Sequence, residues 1–170
     1  MKITAGNLHF QILNNEIKNT KDKHIEIENC LGQRYIASGL SEKSIIIKGT
    51  PGNALGAYLG GADITVYGNA QDATGDTMNA GTICIHGSSG DATGYAMRGG
   101  KIFVQGSAGY RAGIHMKAYR DKIPQLVIGG AAGWYFKIYR PKKQQATDAA
   151  EDYGDDYDDT PPWEDEEETE

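Results

Sequence analysis

The sequence predicts an all-β protein: a single-stranded right-handed parallel β-helix, a solenoid wound from 19-residue coils. Three observations predict it. Glycines that close an apolar tetrad recur at Gly49, Gly68, Gly87 and Gly106, always 19 residues apart, and Gly130 follows after 24. Seven residues beyond each of the first four stands another glycine: Gly56, Gly75, Gly94 and Gly113. Four and two residues before the closing glycine the columns are aliphatic, Ile45, Ile64, Ile83, Ile102, Leu126 and Ile47, Val66, Ile85, Val104, Ile128. Self-similarity at a fixed period of this length is the signature of a stacked repeat.

Two apolar residues separated by one outward residue describe a short strand with one buried face. So short a strand cannot stand alone, but copies stacked about 4.8 Å apart bond to one another and bury a continuous column. Each aliphatic side chain so buried contributes about 1.5–3 kcal/mol. A further column, Leu59, Met78, Met97 and Met116, adds long apolar side chains. The glycines are expected at the turns, where positive φ or close backbone approach excludes a side chain. The period is too short for a propeller blade and its spacing is wrong for paired helices, which leaves coils of two or three short strands. The right-handed sense follows the rule for parallel crossovers. The five extra residues before Gly130 predict an insertion around 119–124.

The ends of a solenoid must differ from its middle. Residues 1–22 are read as a cap in which Leu8, Ile12, Leu13 and Ile17 form a short amphipathic helix. The β-helix is assigned to 23–143. Ile25 and Ile27 begin a degenerate first coil that ends around Gly32, Gln33, Arg34, Tyr35 and Gly39. After Gly133 the pattern stops, and Trp134, Tyr135, Phe136, Ile138 and Tyr139 suggest a strand laid over the open end of the core. Residues 144–170 form an acidic tail with little to bury, a composition that predicts disorder.

Charge divides the chain in the same place. All 17 Lys and Arg lie between Lys2 and Lys143, while 13 of the 23 acids lie in 148–170, so residues 1–147 carry +7 and the tail −13. The tail is expected either to bind the basic stretch from Arg111 to Lys143 or to serve solubility. No early apolar run suits a signal peptide or a membrane span. Two distant cysteines, Cys30 and Cys84, read as free thiols, and a cytoplasmic location is expected.

Four segments resemble a known family. Thr50-Pro51-Gly52-Asn53, Gly68-Asn69-Ala70-Gln71-Asp72, Gly94-Tyr95-Ala96-Met97-Arg98-Gly99-Gly100 and Gly109-Tyr110-Arg111-Ala112-Gly113-Ile114-His115-Met116 look like the GXGXG family. This is the C-terminal β-helix domain of the glutamate synthase large subunit, which also occurs as a stand-alone protein; one of the subunits of formylmethanofuran dehydrogenase shares the fold. The resemblance spans about residues 5–133. It implies a right-handed β-helix that packs between catalytic domains and holds them together. Glutaminase chemistry and FMN-dependent glutamate formation reside elsewhere in such assemblies. The sequence departs from the family pattern after Gly133, where another coil is usual.

The chain's own residues offer no catalytic, cofactor-binding or metal site. The glutaminase chemistry implied by the resemblance uses a cysteine at a processed N-terminus, and Cys30 has no such context. Two cysteines cannot hold an iron–sulfur cluster; the resemblance implies that FMN and iron–sulfur groups sit in partner subunits. No phosphate-binding loop or dinucleotide fingerprint appears. Cys84 and His86 share an outward strand face but lack two further zinc ligands. Asn53, Asp72 and Asp91 stack at one repeat position; hydrogen bonding to turn amides is the favoured reading, and a shared cation the alternative.

Two features point to a partner. The outward column Ile46, Thr65, Cys84, Phe103 and Val127 is more apolar than a solvated face. Either the N-terminal helix or a partner subunit covers it. Arg111, His115 and Arg120 accompany the insertion and are read as a contact to a catalytic partner or as a solvated loop. The leading expectation is a non-catalytic scaffold of a glutamate synthase-type oxidoreductase complex, in ammonia assimilation and glutamate biosynthesis. Its partners would be glutaminase-type and FMN-dependent synthase subunits. The alternative is a stand-alone binding or regulatory module of a nitrogen-metabolism enzyme, or a scaffold like the β-helical component of formylmethanofuran dehydrogenase. A homo-oligomer stays open. No membrane is expected, and nucleic acid is disfavoured because the basic residues lack regular aromatic interleaving.

Overall fold

The structure is a computed structural model that describes residues 1–133; the expected strand at 134–139 and the acidic tail lie outside the described residues. The chain winds as a parallel β-solenoid. Its strands form one sheet in sequence order: β1 (Lys2–Thr4), β2 (His24–Leu31), β3 (Ser44–Thr50), β4 (Gly60–Tyr67), β5 (Ala80–Ile85), β6 (Lys101–Val104) and β7 (Gln125–Ile128). Every neighbouring pair is parallel. From β3 to β7 the register sets Ile45, Ile64, Ile83, Ile102 and Leu126 one above another, and Ile47, Val66, Ile85, Val104 and Ile128 likewise. Most of this stack is buried, while Leu126 and Ile128 in the last described coil are half-buried.

The coil departs from the expected two or three strands. One side is the main sheet. A second is reduced to single parallel bridges that run Ala70–Ser89–Ala108–Ala132. The third is a turn in which alternate residues take positive φ, as at Ala73 (55°), Gly75 (71°) and Thr77 (50°). Such alternation cannot extend into a pleated strand, yet the backbone stays bonded between coils. The N–H of Ala73 donates to Asp91 O and that of Thr77 to Tyr95 O, while Gly75 N–H donates to Leu55 O in the preceding coil, each at 2.8 Å. Across the core, a Cβ on Gly56 would lie 2.7 Å from Ile83 Cδ1 and 3.2 Å from Ile64 Cδ1. The turn side therefore faces the sheet directly, with the isoleucines between. The closing glycines answer a different need: a Cβ on Gly87 would sit 2.6 Å from the carbonyl oxygen of Gly68, one coil below.

Side chains extend the ladder at the corners. Asn69 Oδ1 accepts from Ser88 N–H at 2.9 Å, Ser88 Oγ from Ser107 N–H at 3.1 Å, and Ser107 Oγ from Ala131 N–H at 3.1 Å. Asp72 Oδ1 accepts from Asp91 N–H at 2.9 Å, and Asp91 Oδ1 from Tyr110 N–H at 2.8 Å. The stacked acids thus bond to amides one coil onward. Buried Thr74 and Thr93 satisfy their hydroxyls by donating to the carbonyls of Gln71 and Gly90, each at 3.0 Å.

The N-terminal cap differs from expectation in two ways. Strand β1, absent from the sequence pattern, is three residues long and joins β2 through Ile3, which is buried. The helix α1 (Phe10–Asn19) buries Leu13 and Ile17, four residues apart on one face, but leaves Ile12 51% exposed. Leu8 precedes the helix and packs against the core. The first coil is irregular because β2 holds one extra residue against β3: Ile27 pairs with Ile47, then Cys30 with Gly49. This bulge places Asn29 at φ 54°.

Gln33 ties cap to coil. Its Oε1 accepts the Leu31 N–H at 2.7 Å and the Cys30 thiol at 3.4 Å; its Nε2 donates to the carbonyls of Gly6 at 2.9 Å and Leu8 at 3.3 Å. The side chain is buried, so its removal leaves several polar groups without water or partner. Gln33→Ala is expected to destabilise the protein by about 2 kcal/mol. Denaturant unfolding checks this, and hydrogen exchange should localise the loss to residues 5–33; an unchanged midpoint would refute the role.

Candidate protein interface

The outward residues of the main sheet form two neighbouring columns with a gradient along the solenoid. At its N-terminal end the face is charged. Lys2 pairs with Glu28 at 2.9 Å, and Lys48 bridges Glu26 and Glu28. Lys2 holds the Glu28 carboxyl below its usual range, mainly through their hydrogen bond. Farther along, the face turns apolar and aromatic. Register places Ile46, Thr65, Cys84, Phe103 and Val127 in one line. Beside it Tyr67 and His86 stack with ring centroids 4.6 Å apart and planes 7° apart.

The N-terminal helix does not cover this line. Its contacts are with the first coil: Asn14 Nδ2 donates to Arg34 O at 2.9 Å, Phe10 lies 5.9 Å from the Tyr35 ring, and the Arg34 guanidinium sits 5.0 Å from the Phe10 ring. Phe103 and Val127 remain 38% and 52% exposed. Between them and Cys84, with His86, Gln105 and Gly129 at the rim and Ile85 and Val104 in the floor, lies a depression of about 260 Å³. That is below the size of most cofactor pockets, but it suits an inserted apolar side chain of a protein partner.

Arg111, His115 and Arg120 are not brought to this face. Arg111 and His115 occupy left-handed positions of the turn side, φ 58° each, which the core separates from the sheet. His115 makes an edge-on contact with Tyr95 at 5.4 Å. Arg120 belongs to the insertion, where Tyr119 and Lys122 form a small antiparallel bridge and the guanidinium lies 5.2 Å from the Tyr119 ring. The eight residues grouped by sequence therefore divide between two sides of the solenoid. Sequence reasoning set His86 outward beside Cys84 but missed the exposed Tyr67, which stacks on it and extends the apolar line; their spacing one coil apart was the available signal.

Neither thiol is poised for chemistry. Cys30 is fully buried, and burial pushes it up to about 11. Cys84 is raised by burial and then by the Asp63 carboxylate. Cys30 points into the core while Cys84 lies on the outer face, so the pair does not fit an iron–sulfur cluster. Among the described residues no group of three or more His, Cys, Asp or Glu could hold a metal, and no helix is long and apolar enough to cross a membrane.

The chain is 52% identical over 137 residues to the uncharacterized protein MJ1350 of Methanocaldococcus jannaschii, a match covering 76% of this chain and 52% of the relative. It thus spans about half the length of the curated relative it matches. No solved structure matches significantly. Residues 6–137 match the GXGXG motif family. With its five glycine-closed repeats stacked as a parallel solenoid, the chain belongs to that family.

Proposed function

We propose that the chain is a non-catalytic scaffold of a glutamate synthase-type assembly, and that it binds its partners through the apolar half of the main sheet. The observation that supports this reading is the line from Cys84 to Val127, left partly exposed among the described residues, with its side-chain-sized depression. An apolar patch rimmed by polar residues marks an interaction site. A parallel sheet whose strands are bonded on both sides is a stiff platform, suited to fixing the distance between two enzymes. In this reading ammonia release and flavin-dependent reduction belong to partner subunits, and the chain contributes shape.

The test is capture of the tagged full chain from its native cells, followed by mass spectrometry. Glutaminase-type and FMN-dependent synthase subunits are expected together. Recovery of neither, under conditions that retain other complexes, would overturn the proposal.

A further inference from the structure

The cations of the solenoid are distributed unevenly, and so are their partners. Near the N-terminal end Lys2 and Lys48 sit in ion pairs. In the last described coils Arg98, Lys101, Lys117, Arg120 and Lys122 are all exposed, and none forms an ion pair among the described residues. They converge on one corner. Arg98 and Lys117 hold the same coil position in successive coils, with Lys117 N–H bonded to Met97 O at 3.0 Å. Lys101 opens β6 just beyond. The insertion folds back over this corner, so that a Cβ on Gly99 would lie 3.0 Å from Lys122 Cβ. Asp121 is the one acid between residues 98 and 147. Five like charges gathered this closely repel one another unless an anion is present.

We infer that this basic corner is the docking site of the chain's own acidic segment, residues 148–170. Charge complementarity names the occupant: that segment carries −13 and no base. Reach permits it. Asp148 stands 15 positions beyond Gly133, a separation that even in random-coil dimensions corresponds to about 20 Å, several coil heights. Tethering gives the segment a local concentration of order millimolar, so individually weak exposed pairs suffice collectively. Its residence on the corner excludes competing polyanions, and its release exposes the cations to them. The corner borders the apolar line, since Lys101 and Phe103 share the outward face of β6, but the inference stands apart from the scaffold reading because it rests on charge and needs no partner subunit.

Carbodiimide coupling of lysine amines to carboxylates in the full chain tests it without truncation. Peptide mapping should find residues 148–170 joined to Lys101, Lys117 and Lys122 in preference to Lys2, Lys18, Lys21, Lys23, Lys43 and Lys48. The yield should fall about fivefold or more in 1 M salt, where the Debye length shrinks to about 3 Å. The double variant Arg98→Glu, Lys117→Glu should reduce coupling at Lys101 and Lys122 similarly. Coupling spread evenly over all lysines, or insensitive to salt, would overturn the inference. So would coupling chiefly between isotopically distinct chains in a mixed sample, because the occupant would then be a second copy.

Discussion

Gly75→Val is expected to destabilise the solenoid by about 2–5 kcal/mol. Two costs combine. Gly75 sits at φ 71°, a region that costs an L-residue about 1–2 kcal/mol and a β-branched one more. Its absent Cβ also points into the core, where it would run into the side chain of Ile102. Overpacking of that kind costs about 1–3 kcal/mol. The isoleucine has little room to retreat, since Ile83 Cδ1 already lies 3.5 Å from the same Cβ position. Gly75→Ala should be milder, because the first coil already accepts a methyl at the equivalent position: Ala37 is buried at φ 60°. For a protein of this size each kcal/mol moves the melting temperature by roughly 2–4 °C, so the valine variant should melt at least about 4 °C lower. Equal melting temperatures for valine, alanine and glycine would show that neither cost is real.

That contrast between Gly75 and Ala37 also marks what the sequence made legible. The coil period, the sheet register and the buried columns could all be read, because each is a side-chain regularity repeated at least four times. The turn side was legible only in its glycine column, Gly56, Gly75, Gly94 and Gly113, each at positive φ. Its other left-handed residues include Ala54, Tyr58, Ala73, Thr77, Arg111 and His115, and no shared chemistry signals the conformation; it is imposed by hydrogen bonds to the coils above and below. The cap was half legible. Leu13 and Ile17 announced a buried helical face, but Ile12 matched the same period and points to water. Strand β1 is too short to have a period at all, and its existence depends on an edge offered by β2. The apolar line on the sheet was visible as a column, whereas its cover was not. Only the placement of the helix against Arg34 and Tyr35 leaves that line open. That Arg111 and His115 stand on the turn side and Phe103 on the sheet was not legible either, because the repeat position of a residue does not by itself say which side of a coil it occupies.

Phe103→Glu is expected to weaken partner binding about a hundredfold while leaving the fold intact. Phe103 lies outward on β6, and its neighbours Ile102 and Val104 fill the core from the other face of the strand. With more than a third of the residue already in water, a carboxylate there stays hydrated in the free protein. In a complex, the same carboxylate would be trapped beside Cys84 and Val127 at the wall of the depression, with no Lys or Arg among its lining residues. Burying an unpaired charge costs several kcal/mol, and even about 3 kcal/mol corresponds to a hundredfold loss of affinity. Asn53→Glu serves as the control, since Asn53 is exposed at a corner away from the sheet face and should bind normally. The measurement is co-purification of partner subunits by each tagged variant, with melting temperatures recorded in parallel. A folded Phe103→Glu protein that recovers partners as well as wild type would remove this face from the interface. Loss of binding in both variants would point to general charge repulsion in place of a buried contact. Loss in Phe103→Glu alone is the outcome the geometry predicts: the depression beside Phe103 accepts an apolar side chain, and a carboxylate at its wall cannot be desolvated.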